Sequence, residues 1–180
     1  MSVSNILNKF GKRVVKESRT ALTKKDKNAS KELYDSIKYD FKENKNSFEL
    51  SISMLDYGKF VDKGVTGNND SSFKGKQKKI QKSLAGFRFG SGNFKGKGGE
   101  WKKRINTWMY ARGIQGRNAK GQFIKRDTVN FLIRRSIFQH GLKPTEFITK
   151  PFESAFKSLP DELIEGYGLE IDKFLSDVII

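Results

Sequence analysis

Residues 48–67 read FELSISMLDYGKFVDKGVTG and contain two different apolar periodicities in succession. Apolar and polar side chains alternate over residues 48–54. This period of two is typical of a strand with one face on a core and the other in water. The spacing then changes, because Tyr57, Phe60 and Val61 lie three and four residues apart. That spacing predicts one short helical turn laid over the sheet.

The residues before this stretch predict a partner for its strand. Ile37, Tyr39 and Phe41 alternate with polar residues, and Asn44–Ser47 supplies the residues of a turn. Two runs of period two joined by a short polar turn predict a β-hairpin, with Tyr39, Phe41 and Phe48 on its buried side.

Helices are predicted around the hairpin. Residues 3–22 carry an apolar stripe opposite a basic face, which favours a helix packed on the core over the alternative of a basic helix on a membrane surface. Further apolar stripes predict helices over 100–114 and 128–140 and two more across 144–178. In the helix over 128–140, the residues expected to face inward are Val129, Phe131, Leu132, Ile133 and Ile137. We therefore expect an α+β fold, a small antiparallel β-sheet packed by helices, with a long basic insertion rich in Gly and Lys.

Some local features of these helices are also predicted. Gly11 weakens the first helix by about 1 kcal/mol relative to alanine, which allows a local break there. Gly166 and Gly168 are expected to break the last helix in two. A face able to pack on the hairpin is formed by Phe152, Ala155, Phe156 and Leu159.

The net charge of +16 is concentrated in one segment. Residues 74–126 carry a charge of +15, with Glu100 as their one acidic residue, and the remainder of the chain carries +1. A confined basic segment indicates a local contact with nucleic-acid phosphates or with an acidic protein surface. Outside the segment the body is expected to be neutral, with Arg134 and Arg135 solvated or paired across a subunit boundary.

The composition also predicts the domain boundaries. Residues 1–67 and 100–180 are expected to form a single α+β domain, and residues 68–99 a flexible basic insertion or arm. The phenylalanines of this insertion could stack on the bases of a single-stranded nucleic acid. They could instead dock on a neighbouring subunit, which is the interpretation we favour.

No constellation of residues predicts catalysis, a metal or another cofactor. The chain has no cysteine, and its single histidine, His140, stands before a helix-ending glycine, where an imidazole commonly meets the last carbonyls. Asp56 and Asp62 could form a carboxylate pair, but a helix cap and a surface charge explain them better. We therefore expect a protein that is not an enzyme, and its apolar runs are too short to span a membrane.

Two regions resemble the neck or tail-completion proteins of tailed bacteriophages. Residues 30–67 contain the pattern Leu-x-x-Ser-Ile, which begins at Leu33, and the turn YGKFVDKG, which begins at Tyr57. Residues 105–156 contain the order Ile-x-x-Trp, Arg-Gly-Ile, Phe-x-Ile-x-x-Ser-Ile and Gly-x-x-Pro-x-x-Phe. The matching residues are Ile105, Trp108, Arg112, Gly113, Ile114, Phe131, Ile133, Ser136, Ile137, Gly141, Pro144 and Phe147.

This resemblance implies a structural virion protein of the head-to-tail connector, a homo-oligomeric ring that joins portal and tail. It implies as partners the portal or adaptor protein, tail proteins and packaged DNA, with assembly in the host cytoplasm and a final location in the virion neck or tail region. The large basic insertion departs from the compact members of the family. The alternative is a free DNA- or RNA-binding protein that uses the segment rich in Lys, Gly and Phe.

Two sets of residues are expected to make these contacts. Those expected to contact DNA or an acidic partner are Lys74, Lys76, Lys78, Lys79, Lys82, Lys95, Lys97, Lys102, Lys103, Arg104, Arg117 and Lys120. Those expected to dock subunits or partners are Tyr57, Phe60, Phe87, Phe89, Phe94, Trp101, Trp108, Phe147, Ile179 and Ile180.

Overall fold

The computed structural model describes residues 2–25, 31–45, 47–68, 80–90 and 99–178, the last six of these by their backbone alone. Within these residues the fold is α+β, as predicted, with seven helices and two small antiparallel sheets. The helices are α1 (Val3–Lys24), α2 (Glu32–Ser36), α3 (Gly58–Lys63), α4 (Gly99–Ala111), α5 (Arg126–His140), α6 (Thr149–Phe156) and α7 (Leu159–Val178). The strands are β1 (Lys38–Asn44), β2 (Ser47–Ser53), β3 (Val65–Thr66) and β4 (Gly141–Leu142).

The chain divides into two compact units. Unit 1 contains residues 1–56 and 146–180, and unit 2 contains residues 57–145. Residues 57–67 and 100–145, which the sequence analysis assigns to one domain with the hairpin, thus belong to a compact unit of their own.

Unit 1 is built around α1, whose apolar stripe is buried as predicted. Ile6, Phe10 and Val14 form a core with Ala155 of α6 and Leu159 of α7. The hairpin also packs on α1. Because burying one such apolar side chain contributes about 1.5–3 kcal/mol, this stripe accounts for the cohesion of the unit.

The predicted hairpin is confirmed. β1 and β2 pair antiparallel, with Tyr39 opposite Ile52 and Phe41 opposite Leu50. The rings of Phe41 and Phe48 stack with their centroids 6.2 Å apart, on the half-buried face of the hairpin. Cross-strand aromatic and aliphatic pairs of this kind stabilise a register, since a slip of one residue would expose every apolar side chain.

The helix breaks predicted at the helical glycines do not occur. α1 continues through Gly11, where an added Cβ would lie 2.6 Å from the Tyr39 ring, so that glycine is needed there for the approach of β1. α7 likewise continues through Gly166 and Gly168 as one helix.

Unit 2 contains α4 and α5 packed on each other. Met109 of α4 and Val129 of α5 are buried, and the two predicted helices are confirmed. The predicted inward positions are only partly right, because Phe131 and Leu132 are exposed.

A matched pair of glycine substitutions tests the packing at Gly11. We expect Gly11→Ala to lower the free energy of unfolding, because overpacking costs about 1–3 kcal/mol and outweighs the roughly 1 kcal/mol gained in helix propensity. Gly168→Ala is the control, since nothing lies within 4 Å of the added Cβ. Urea denaturation should show loss of stability for the first variant and a gain for the second. Equal gains in both would contradict the close contact with Tyr39.

Candidate functional site

Two segments of unit 2 that are far apart in the sequence meet in one corner, which we define as residues 57–67 together with residues 139–145. Val65 of β3 pairs with Leu142 of β4. The Thr145 backbone N–H donates to the carbonyls of Val61, at 3.2 Å, and Asp62, at 3.0 Å. The Thr145 hydroxyl also donates to the Val61 carbonyl, at 2.6 Å, across 84 residues of chain. The corner therefore joins the two sequence regions that carry the phage-family resemblance.

Glycines make this close approach possible. Gly64 has a φ of 73°, and a Cβ there would lie 2.6 Å from the Leu142 carbonyl oxygen. Gly141 ends α5 with a φ of 84°, and a Cβ there would overlap the Val65 carbonyl oxygen. Any other residue would both strain the backbone and push the two segments apart.

Asp62 lies in the same corner and is buried. Its side chain is 2% exposed, and its Oδ2 atom lies 3.8 Å from the Lys63 ammonium. The sequence analysis treats Asp62 as a surface charge, which is wrong, because α3 turns this carboxylate inward.

Residues 80–90, part of the predicted arm, are attached to β3. The Thr66 N–H donates to the Phe87 carbonyl at 2.7 Å, and the Phe89 N–H donates to the Thr66 carbonyl at 3.1 Å. The Leu84 N–H donates to the Lys63 carbonyl at 2.8 Å. This piece therefore belongs to unit 2, because the backbone groups of β3 provide partners that Gly-rich sequence cannot provide for itself.

Aromatic residues predicted to dock on other molecules reinforce this attachment. Phe60 and Phe87 pack edge to face, with ring centroids 4.9 Å apart. Phe89 stacks on Trp101 at 6.1 Å and contacts Phe138 at 5.8 Å. Such pairs contribute about 0.5–1.5 kcal/mol beyond the area they bury. These four predicted docking residues therefore make contacts within their own unit.

The other predicted docking residues are distributed differently. Phe147 belongs to unit 1 and is fully buried, so its predicted contact with a partner is wrong. Tyr57 is half-buried, whereas Trp108 is 38% exposed. Phe94, Ile179 and Ile180 lie outside the described residues.

The predicted cationic residues of unit 2 fall into two groups. Three have intramolecular contacts: Lys102 pairs with Asp127 at 3.2 Å, Arg104 pairs with Glu100 at 3.4 Å, and the Arg117 guanidinium lies 3.9 Å from the Phe123 ring centroid. Lys82, Lys103 and Lys120 are exposed. Lys74, Lys76, Lys78, Lys79, Lys95 and Lys97 lie outside the described residues.

A buried polar network joins α4 to α5, and sequence reasoning missed it. Arg134 is 4% exposed, not solvated as predicted, and its Nε donates to Asn130 Oδ1 at 2.7 Å. Asn130 is fully buried, and its amide donates to the Lys102 carbonyl at 3.0 Å and to Asn106 Oδ1 at 3.2 Å. The four-residue spacing of Asn130 and Arg134 is the one sequence signal that could have indicated this bond.

Unit 1 carries a second cationic surface, which we call the basic groove. It lies along α1 and α6 and has a volume of about 800 Å³. Its cationic residues are Lys9, Lys12, Arg13, Lys16, Lys24, Lys25 and Lys150, and its acidic residues are Glu17 and Glu146. Lys150 hydrogen-bonds Glu146 at 2.7 Å, which raises the pKa of this lysine from its ordinary value of 10.5. Lys150 therefore stays charged at neutral pH.

An apolar groove of about 680 Å³ lies on another side of α1. Its walls include Phe48 and Leu50 of the hairpin and Phe152 and Phe156 of α6. The predicted face of α6 and α7 therefore meets the hairpin only in part. Ala155 and Leu159 lie in the core on which Leu50 and Ile52 of β2 pack. Phe152 and Phe156 line the groove, where Phe152 contacts Phe10 edge to face at 5.6 Å.

The single histidine of the chain, His140, lies at the end of α5. His140 Nδ1 lies 2.9 Å from the Ser136 carbonyl oxygen, the helix-end contact that was predicted. Among the residues that the structure describes, His, Asp and Glu side chains form no group of three that could hold a metal ion. None of the described helices combines the length and apolarity needed to cross a bilayer.

Comparison of the chain with models of known protein families, with curated proteins and with solved structures gave no match.

The corner can be tested at its helix-ending glycine. We expect Gly141→Ala to lower the free energy of unfolding by more than about 2 kcal/mol, since it adds overlap with Val65 to the cost of a positive φ. Gly113→Ala is the matched control, because Gly113 also has a positive φ, 60°, but nothing lies within 4 Å of its added Cβ. The control should lose only about 1 kcal/mol. Equal losses by thermal and chemical denaturation would contradict the tight corner.

The buried network gives a second stability prediction. Arg134→Ala should lower the free energy of unfolding by about 2–4 kcal/mol, because it removes a buried side chain and the donor to Asn130 Oδ1. Lys103→Ala, on the exposed face of α4, should change it by less than about 0.5 kcal/mol. Guanidinium titrations of both variants measure the difference. An Arg134 variant as stable as wild type would show that the network contributes nothing.

Proposed function

We propose that this protein is a structural component of a bacteriophage head-to-tail connector, a neck or tail-completion protein that assembles as a ring between portal and tail. The observation that carries the proposal is the corner of unit 2. Tyr57–Gly64 and Gly141–Thr145 belong to separate regions of resemblance, and they meet through the Thr145 hydrogen bonds.

The contact strengthens the resemblance in a specific way. A short motif matches by chance easily, but two chance matches have no reason to touch. Here the glycine of the first motif, Gly64, and the glycine of the second, Gly141, each face the backbone of the other segment. The residues that resemble the family are therefore the ones that this packing requires.

The charge distribution is compatible with a place among other virion components. Lys82, Lys103 and Lys120 are exposed on unit 2, and the basic groove lies on unit 1. In a connector these cations would face acidic protein walls or DNA in the channel. The described residues of the predicted insertion, 80–90, bond to Thr66 and pack on Phe60 within unit 2.

A free DNA- or RNA-binding protein is the second candidate, and the same exposed lysines favour it. Binding through phosphates alone loses affinity steeply as salt rises. This function gives no role to the two matching motifs, and for that reason we place it second.

Deletion of the gene from the phage genome that encodes it tests the proposal. We expect lysates with filled heads and tails that are not joined, counted by electron microscopy, because a connector ring is needed for the joint. Plasmid-borne wild type and the exposed-hairpin control Lys38→Ala should restore infectious particles, whereas Gly141→Ala should not. Normal numbers of joined particles in the deletion strain would refute the proposal. Joined particles together with salt-sensitive binding of the purified protein to DNA would favour the second candidate.

A further inference from the structure

The positive and negative charges of unit 1 nearly cancel, but they lie on two different surfaces. By sequence, α1 carries six basic residues and one acidic residue, whereas α7 carries six acidic residues and one basic residue. The two charges cancel in the total, but they lie on different helices. Each unit 1 therefore presents both a cationic and an anionic surface.

The outward side of α7 combines acidic and apolar residues. Asp161 and Glu165 are exposed and four residues apart, so they lie on one face about 6 Å apart along the axis. Beside them Ile164 is 72% exposed and Ile171 is 57% exposed. Exposed isoleucines next to carboxylates are expected on a helix that is covered by a partner with an apolar floor and a cationic rim.

The basic groove has that combination. Lys12 and Lys16 of α1 are exposed and have the same four-residue spacing as the two carboxylates. Although the rim is charged, most of the lining surface is apolar, with Ala21 and Pro151 among its residues. A groove that bound only phosphates would need the cations but not this floor.

We propose that the basic groove of one copy binds α7 of a second copy, with Asp161 and Glu165 against Lys12 and Lys16 and the isoleucines against the floor. The contact is heterologous, because it joins two different surfaces, the basic groove of one copy and α7 of another. After one such contact, each of the two copies can still use its other surface to bind a further copy. Such a contact closes into a ring or continues as a filament, according to its rotation. As a ring contact it rests on the proposed function, although its test needs no other virion component.

A charge swap tests the contact in the full-length protein. The groove variant carries Lys12→Glu and Lys16→Glu, and the helix variant carries Asp161→Lys and Glu165→Lys. We expect each to weaken self-association by about tenfold or more, since two attractions become repulsions. The variant with all four changes should regain self-association to within about threefold of wild type, because the charges are complementary again. Sedimentation velocity over a range of concentrations measures all four proteins.

A double charge reversal elsewhere on unit 1 provides the matched control. Lys38→Glu with Lys45→Glu changes the same charge on the exposed hairpin and should leave self-association unchanged. The proposal is overturned if wild type stays monomeric, or if the four-change variant is weaker than either parent. It is also overturned if the groove variant loses only affinity for duplex DNA, which would make the groove a phosphate site.

The outcomes separate this contact from the proposed function. Self-association that follows the charge swap, in a protein that phage particles do not need, would retain the contact and refute the connector. A deletion that leaves heads and tails unjoined, with a charge swap that fails to restore self-association, would support the connector and refute the contact.

Discussion

Unit 2 depends on an approach of two backbone segments that leaves no room for side chains. Because Gly64 and Gly141 lack a Cβ, β3 and β4 can pair and Thr145 can bond to the end of α3. The backbone groups of Thr66 in β3 also bond to residues 80–90, through Phe87 and Phe89. Phe87 and Phe89 complete the attachment by packing on Phe60 and Trp101. A two-residue strand thus organises a much larger part of the unit, since buried backbone groups must find hydrogen-bond partners.

Unit 1 follows a different principle, in which one amphipathic helix supplies the core and a charged surface together. The apolar stripe of α1 packs on the hairpin, α6 and α7, while its lysines form the basic groove. The acidic α7 balances that charge within the same unit but not on the same surface. Separation of charge in this way favours ordered contacts between copies, because opposite surfaces attract and like surfaces repel.

Local patterns predicted the fold class well and the site only in part. The alternation around Phe41 and Leu50 and the stripe of α1 are repeated over many residues, so they determine the hairpin and the first helix whatever the rest of the chain does. Single residues were less predictable. The sequence predicts a solvated Arg134, because arginine is mostly exposed. Its hydrogen bond to Asn130 nevertheless makes a buried position favourable. By sequence alone, Gly11 indicates a possible break in α1. In the structure the helix continues, and the absence of a side chain at Gly11 makes room for the ring of Tyr39.

By itself, the sequence determined which segments are helices and strands, that the chain is strongly basic, and which short motifs stand at either end of the basic segment. Only the tertiary structure decided that these motifs touch, that Phe147 is buried, and that residues 80–90 belong to unit 2. The physical reason is that periodicity is a property of neighbouring residues, whereas burial, pairing and close backbone approach depend on residues up to 84 positions away. The same holds for charge. The net charge follows from the composition, whereas the separation of opposite charges onto two surfaces of unit 1 arises from packing.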